Sequence, residues 1–426
     1  MTDLALLGGP PVRTRPFQAW PQFDEAELGV LADVLNSLRW GGIHTGSQGE
    51  SFETELAEYL QVPHATAVAN GTAGLMIALR ALDVRPGDEV VVPAMTYLAT
   101  ATAVSLLGGV PVFADIDPAT HTITGSSLKA AISERTKAVI AVHLGGHPAD
   151  MDGLGAIADA YGIPVVEDCA QSLGATWKGT QTGSLGAIGV FSFASTKNIS
   201  AGEGGAVVTH DHELTERVAA LRDHGRPLGR TAQHVELGWN LRLSEFQSAV
   251  LRVQLQRLER HLAAKAKGAA FLASALSSLP GLTPVPAALD PRVTAHGRFS
   301  FAFTFDGEAF SGEQTRSVTL RAFRTALQAE GIPVSARDLI ACPDEPIYAD
   351  ISSRDYSRSR TASAEQARTA CSTLVLLGQA AGSGLLLDEP TELTDVARAV
   401  QKIHENRHHL HQEQRQSARR RVSSDH

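Results

Sequence analysis

The strongest constraint in this sequence is an alternation of two periods between about residues 50 and 210. Short apolar runs rich in β-branched residues (65–69, 89–93, 110–113, 138–142, 164–166 and 188–193) alternate with stretches of helical spacing (51–60, 75–82, 97–107 and 150–161). Runs without a polar face must be covered on both sides, and strand–helix–strand repeats join parallel neighbours. The pattern therefore predicts an α/β fold: a mostly parallel central sheet with helices on both faces. Such sheets bind ligands at the carboxyl ends of their strands.

Beyond residue 210 the pattern changes. Residues 243–262 have the spacing of a long amphipathic helix, and the proline-containing stretch 281–291 reads as a boundary. Residues 299–305 alternate as a half-buried strand does; a helix is expected over 319–330 and one more strand over 331–335. The division expected is an N-terminal arm (1–45), a large domain (46–260), a smaller α+β C-terminal domain (261–405) and a polar, disordered tail (406–426).

A net charge of -9 argues against a partner gripped through phosphates, so no nucleic acid is expected. No run of about 18 uncharged apolar residues suggests a membrane span, and the first ten residues lack the basic start of a signal peptide. Three widely spaced cysteines, Cys169, Cys342 and Cys371, suit a reducing compartment. They exclude a disulfide scaffold and a clustered zinc site. The expectation is a cytoplasmic enzyme without a metal.

Four motifs carry possible chemistry. Asn70-Gly-Thr-Ala-Gly lies between a strand and a helix, where small residues let backbone N–H groups approach an anion; it also reads as an ordinary turn. Val165-Val-Glu-Asp ends an apolar run with two acids at the ligand edge. Asp168 there could pair with a cationic ring nitrogen, or simply cap the next helix. Lys197 follows an apolar strand and precedes Gly202-Glu-Gly-Gly. Partly desolvated, it could lose its proton near neutral pH and attack a carbonyl; otherwise it is a solvated loop lysine. Ser192 and Ser195 nearby offer hydroxyls to a phosphate, and Tyr97, just past a strand end, offers a flat face to a cofactor. A phosphate turn, an aromatic platform, a ring-nitrogen acid and a Schiff-base lysine together match the needs of pyridoxal phosphate.

On these motifs, with Gly238-Trp-Asn-Leu-Arg added, the chain resembles the DegT/DnrJ/EryC1/StrS aminotransferases over about residues 5–405. The resemblance implies a fold-type I pyridoxal 5'-phosphate (PLP) enzyme acting on keto-sugars or keto-cyclitols. It makes Lys197 the cofactor-linked lysine and general base, and places Asp168 on the pyridine nitrogen. Gln171 would lie near the phenolic oxygen, with Tyr97 stacked on the ring. The phosphate would sit on the Gly71 turn, taking backbone groups of Thr72 and Ala73 and the Ser192 hydroxyl. Asn240 would reach it from the other subunit of an obligate homodimer with composite sites.

The resemblance further implies L-glutamine or L-glutamate as amino donor and two half-reactions at one site. Residues 6–13 are similar to the start of glutamine-dependent enzymes that aminate scyllo-inosose or its deoxy form in aminoglycoside assembly. Residues 20–24 and 201–205 also resemble 3-amino-5-hydroxybenzoate synthases, which leaves amination with aromatisation as an alternative, beside a non-catalytic PLP-binding protein. Lys197 departs from dehydratase relatives that carry histidine there. A nucleotide-binding oxidoreductase would need a G-x-G-x-x-G turn, which residues 70–75 do not supply. Where many members carry a His-Tyr-Pro type segment, residues 339–348 differ, so that either Cys342 or Tyr348 lines a different pocket or the register is shifted there.

Overall fold

The computed structural model describes residues 4–41, 47–227, 233–312, 317–349 and 359–410. Its first strands are β1 (His64–Val68), β2 (Glu89–Pro93), β3 (Val110–Ala114), β4 (Thr136–Val142) and β5 (Val165–Asp168). Then come β6 (Thr176–Trp177), β7 (Thr180–Gln181), β8 (Ile188–Ser192) and β9 (Gly205–Thr209). The later strands are β10 (Leu282–Val285), β11 (Val293–Ala295), β12 (Ser300–Phe305), β13 (Arg360–Thr361) and β14 (Leu374–Gly378). The helices that matter here are α1 (Glu25–Ser37), α2 (Gln48–Leu60), α3 (Gly71–Ala81), α4 (Ala99–Leu106), α5 (Gly125–Ala131), α6 (Met151–Tyr161), α7 (His212–Arg222) and α8 (Glu245–Leu276).

Eight strands form the main sheet in the order β1-β9-β8-β5-β4-β2-β3-β13. The pairings make β9 antiparallel to both its neighbours, while the others run in one direction. Side chains alternate between two cores, as period 2 requires. Val90, Val92, Ile140 and Val166 pack with residues of α3, α4 and α7. Val91, Val139, Ala141 and Val165 pack with residues of α5 and α6. Phe52 and Leu56 of α2 and Leu251 and Leu258 of α8 close the remaining face, over β8 and β9.

Helix α8 starts at a capping box between Ser244 and Gln247, two orphan N–H ends satisfied reciprocally. It runs past the expected end at residue 262, because Ala269, Leu272 and Leu276 continue its apolar stripe into a second core. That core surrounds a three-stranded antiparallel sheet, β10-β12-β14. Phe301, Phe303 and Phe305 alternate inward there, and Phe305 stacks on Phe323 at 4.3 Å between centroids. Strands β6, β7 and β11 make a third, small sheet.

Two expectations need correction. Residues 331–335 form no strand; an isolated bridge, Val334 to Leu377, is all the pairing they make. The stretch 281–291 is not only a boundary, since Leu282–Val285 pairs with β12. The N-terminal segment docks on the second core: Leu4 is buried in it, and Glu330 accepts from the Ala5 and Val12 N–H groups. Residues 406–410 are within the structure, with Leu410 buried, whereas 411–426 of the expected tail lie outside the described residues.

Candidate active site

Three strand ends and one helix start converge at one edge of the main sheet. Asp168 closes β5 between β4 and β8, and the alternation points it toward the α3 and α4 side. It is buried, and its carboxylate is fixed twice: Thr100 Oγ1 donates to Oδ2 at 2.9 Å, and the Ala170 N–H to Oδ1 at 3.1 Å. Thr100 in turn shares a hydrogen bond with Thr96 at 3.0 Å. Asp168 therefore holds a short turn rather than capping a helix.

Glu167, its neighbour, is not at the ligand edge as expected. One residue earlier on the strand, it faces the opposite side. Its carboxylate accepts from the N–H groups of Gly183, Leu185 and Gly186 and contacts His143 Nε2 at 2.8 Å. Because the Ala149 N–H donates to His143 Nδ1, the proton on that ring sits at Nε2 and points at Glu167. Cys169 lies within the same cluster, a grouping of His143, Glu167 and Cys169 that sequence spacing did not reveal.

Helix α3 begins where β1 ends. Asn70 caps it, taking the Ala73 N–H on Oδ1 at 2.8 Å. The Ala73 N–H, expected to face a phosphate, is thus already engaged. Gly71 and Thr72 hold the other first-turn N–H groups, which have no acceptor within the helix. The helix start lies tight against the neighbouring strands. A Cβ on Gly71 would fall 2.8 Å from Ser192 Cβ, and one on Gly205 2.6 Å from the Asn70 carbonyl carbon. Glycine at both places brings the Ser192 hydroxyl beside the helix N-terminus. Ser195, in contrast, is exposed.

Lys197 sits in the loop after β8, its N–H bonded to the Ala194 carbonyl at 2.9 Å. Its Nζ lies 4.9 Å from the centre of the Phe299 ring. Burial lowers its pKa, while the charges of Asp168 and Glu203 oppose that shift. This is a partly desolvated amine facing an acid, not a solvated loop lysine.

Gln171 accepts the Gly145 N–H on Oε1 at 2.7 Å, which leaves its NH2 group to turn elsewhere. Tyr97 is 69% exposed at the start of the α4 region. Asn240 is also exposed, in a segment whose backbone bridges to Asp223. Its motif partner Arg242 pairs with Asp223. Cys342 and Tyr348 do not line a pocket: both are buried in the α4-side core. Cys342 Sγ lies 3.4 Å from the Thr96 carbonyl, and the Tyr348 hydroxyl 3.0 Å from Ser105 Oγ.

The family model described as the DegT/DnrJ/EryC1/StrS aminotransferase family matches residues 22–380. The chain belongs to that family. An L-glutamine:2-deoxy-scyllo-inosose aminotransferase of Streptomyces fradiae is 35% identical over 423 residues, covering 95% of this chain and 98% of the relative. Among solved structures, an aminotransferase from Psychrobacter cryohalolentis superposes with a TM-score of 0.82 at 31% identity, covering 92% of this chain and 99% of the other. A 3-amino-5-hydroxybenzoic acid synthase superposes at 0.79 and 32%, covering 93% and 100%. The architecture is that of fold-type I PLP-dependent transferases, and the chain is an aminotransferase.

Proposed function

We propose that this aminotransferase moves an amino group from L-glutamine to a keto-cyclitol of the scyllo-inosose type, with pyridoxal 5'-phosphate held at the β5 and β8 strand ends. The cofactor reading is supported by the glycine cradle, which a Cβ at Gly71 or Gly205 would fill, and by the first-turn N–H groups and Ser192 hydroxyl beside it. The donor and acceptor are supported by the S. fradiae relative, matched nearly end to end. When bound, PLP supplies an electrophilic carbon and an electron-withdrawing ring.

The chain's own residues have distinct tasks. Gly71, Thr72 and Ser192 bind the phosphate, with Ala73 holding the turn through Asn70. Asp168, oriented by Thr100, would keep a proton on a cofactor ring nitrogen by a charge-assisted hydrogen bond. Gln171, whose Oε1 is taken by the Gly145 N–H, would offer its NH2 group to the cofactor, and the exposed Tyr97 would offer it a flat face. Lys197 would hold the cofactor, and its amine would serve as the base that moves a proton at the donor carbon. Burial of that amine keeps more of it unprotonated than in water. Asn240 completes the phosphate site from a second copy, so the working unit is a homodimer. No helix among the described residues is long and apolar enough to cross a membrane, in keeping with work in the cytoplasm.

The observation that carries this reading is the partly desolvated Lys197 amine, in the loop after β8, feeling the charge of Asp168 at the end of β5, with the glycine-walled helix start against Ser192. Its test is an absorbance spectrum through one cycle. A visible band should bleach with L-glutamine and return with scyllo-inosose or its 2-deoxy form, with release of the amino-cyclitol. Bleaching without return would refute the cyclitol acceptor, and an aromatic product would favour amination with aromatisation, as in the benzoate synthase neighbour. A bound cofactor that no donor alters would mean a non-catalytic protein.

A further inference from the structure

A second lysine lies behind the first. Lys265, midway along α8, is 1% exposed. Among the described residues it has no carboxylate partner. Its ammonium donates to Asn198 Oδ1 at 2.9 Å and Gln379 Oε1 at 2.6 Å, with the Trp20 ring 4.8 Å away. A buried cation without a counter-ion is costly, so its position asks for a role.

The role follows from donor arithmetic. A side-chain amide can present its oxygen or its NH2 group to a neighbour, and the two orientations have nearly the same shape. A lysine ammonium only donates, so it compels both amides to turn their oxygens inward and their NH2 groups outward. For Asn198, those hydrogens go to the Leu173 carbonyl at 3.0 Å and the Gly297 carbonyl at 2.7 Å. For Gln379, one of them goes to the carbonyl of Lys197 itself at 3.2 Å. Gly297 lies two residues before Phe299, whose ring adjoins the Lys197 amine. One ammonium thus governs a grip on the Lys197 main chain and another on the segment its side chain packs against.

We propose that Lys265 is a positioning residue for the reacting lysine, fixing through Asn198 and Gln379 where the Lys197 amine is held. Burial draws the pKa of Lys265 down to about 7. The proposal rests on Lys197 being the reacting group in the function proposed above.

The test compares Lys265→Met and Gln379→Glu with the parent protein. The first variant removes the ammonium at similar length. The second keeps a partner for Lys265 but cannot donate to the Lys197 carbonyl. Both should slow the single-turnover step with L-glutamine by about 10- to 100-fold, as sub-ångström misplacement of a reacting group does, while half-saturation by the donor barely moves. In the cofactor-free proteins, amide hydrogen exchange over residues 194–201 should be faster in both variants. Parent-like rates and parent-like exchange would overturn the proposal. If Lys265→Met does not fold, Gln379→Glu decides alone. If the parent does not react with L-glutamine, the proposed donor is wrong, and the exchange comparison still decides whether Lys265 orders the loop.

Discussion

Lys197 and Lys265 both leave bulk water, but into opposite company. Lys197 stands on a loop at the sheet edge, with Asp168 and Glu203 near enough to favour its charge. Lys265 stands inside a 32-residue helix, facing amide oxygens and an indole. Desolvation lowers both amines, so desolvation alone does not mark a reacting group. The difference lies in what else converges. Around Lys197 lie an oriented acid, a helix start without intrahelical acceptors and the Ser192 hydroxyl, which accepts from the Ala194 N–H at 3.5 Å; the Lys265 ammonium and its two amides are paired with each other and with backbone carbonyls. In the reading proposed, one lysine is held for chemistry, the other for holding.

The largest break in that comparison is Lys197→Ala. Turnover and the visible band should vanish while the far-ultraviolet circular dichroism stays that of the parent, because the loop side chain contributes little to either core. Asp168→Asn comes next. It should lower the donor half-reaction by roughly 10²- to 10³-fold, about 3–4 kcal/mol, measured by stopped-flow absorbance. A rate near that of the parent would remove Asp168 from the ring nitrogen. Thr100→Val deletes the hydroxyl that donates to Asp168 and should slow the same step by about tenfold, in line with about 1.5–3 kcal/mol for a hydrogen bond to a charged group. The smallest effect belongs to Glu203→Gln. Glu203 favours the Lys197 ammonium, so its removal should move the amine's titration in the cofactor-free protein to lower pH. The shift should be small, since Glu203 is exposed. A move to higher pH would contradict the electrostatics assigned to this loop.

How much of this the sequence revealed depended on distance along the chain. The placement of Lys197, Asp168 and the Asn70 turn was legible because each motif is local: the strand, the turn and the residue singled out lie within a few positions. Six of the eight strands of the main sheet were legible because their runs lack a polar face; β9 and the two-residue β13 were not read as strands. Thr100 was not, for its bond to Asp168 spans 68 residues. Lys265 and Gln379 meet across 114 residues, and nothing in the helical spacing of 255–276 marks one lysine as buried. Glu167 was misplaced by treating two adjacent acids alike, although strand alternation separates them onto opposite faces. The engagement of the Ala73 N–H could have been anticipated, since Asn three residues before it is an N-cap signal. A pocket at Cys342 or Tyr348 was expected from a local departure in pattern, but both side chains turn into the α4-side core, against Thr96 and Ser105.

The most direct test of the account is to reduce the cofactor-loaded protein with borohydride, digest it and map the modified lysine by mass spectrometry. Modification at Lys197 alone is the predicted result. A cofactor fixed at Lys265 or at any other lysine, or none fixed at all in a protein that shows the visible band, would contradict it.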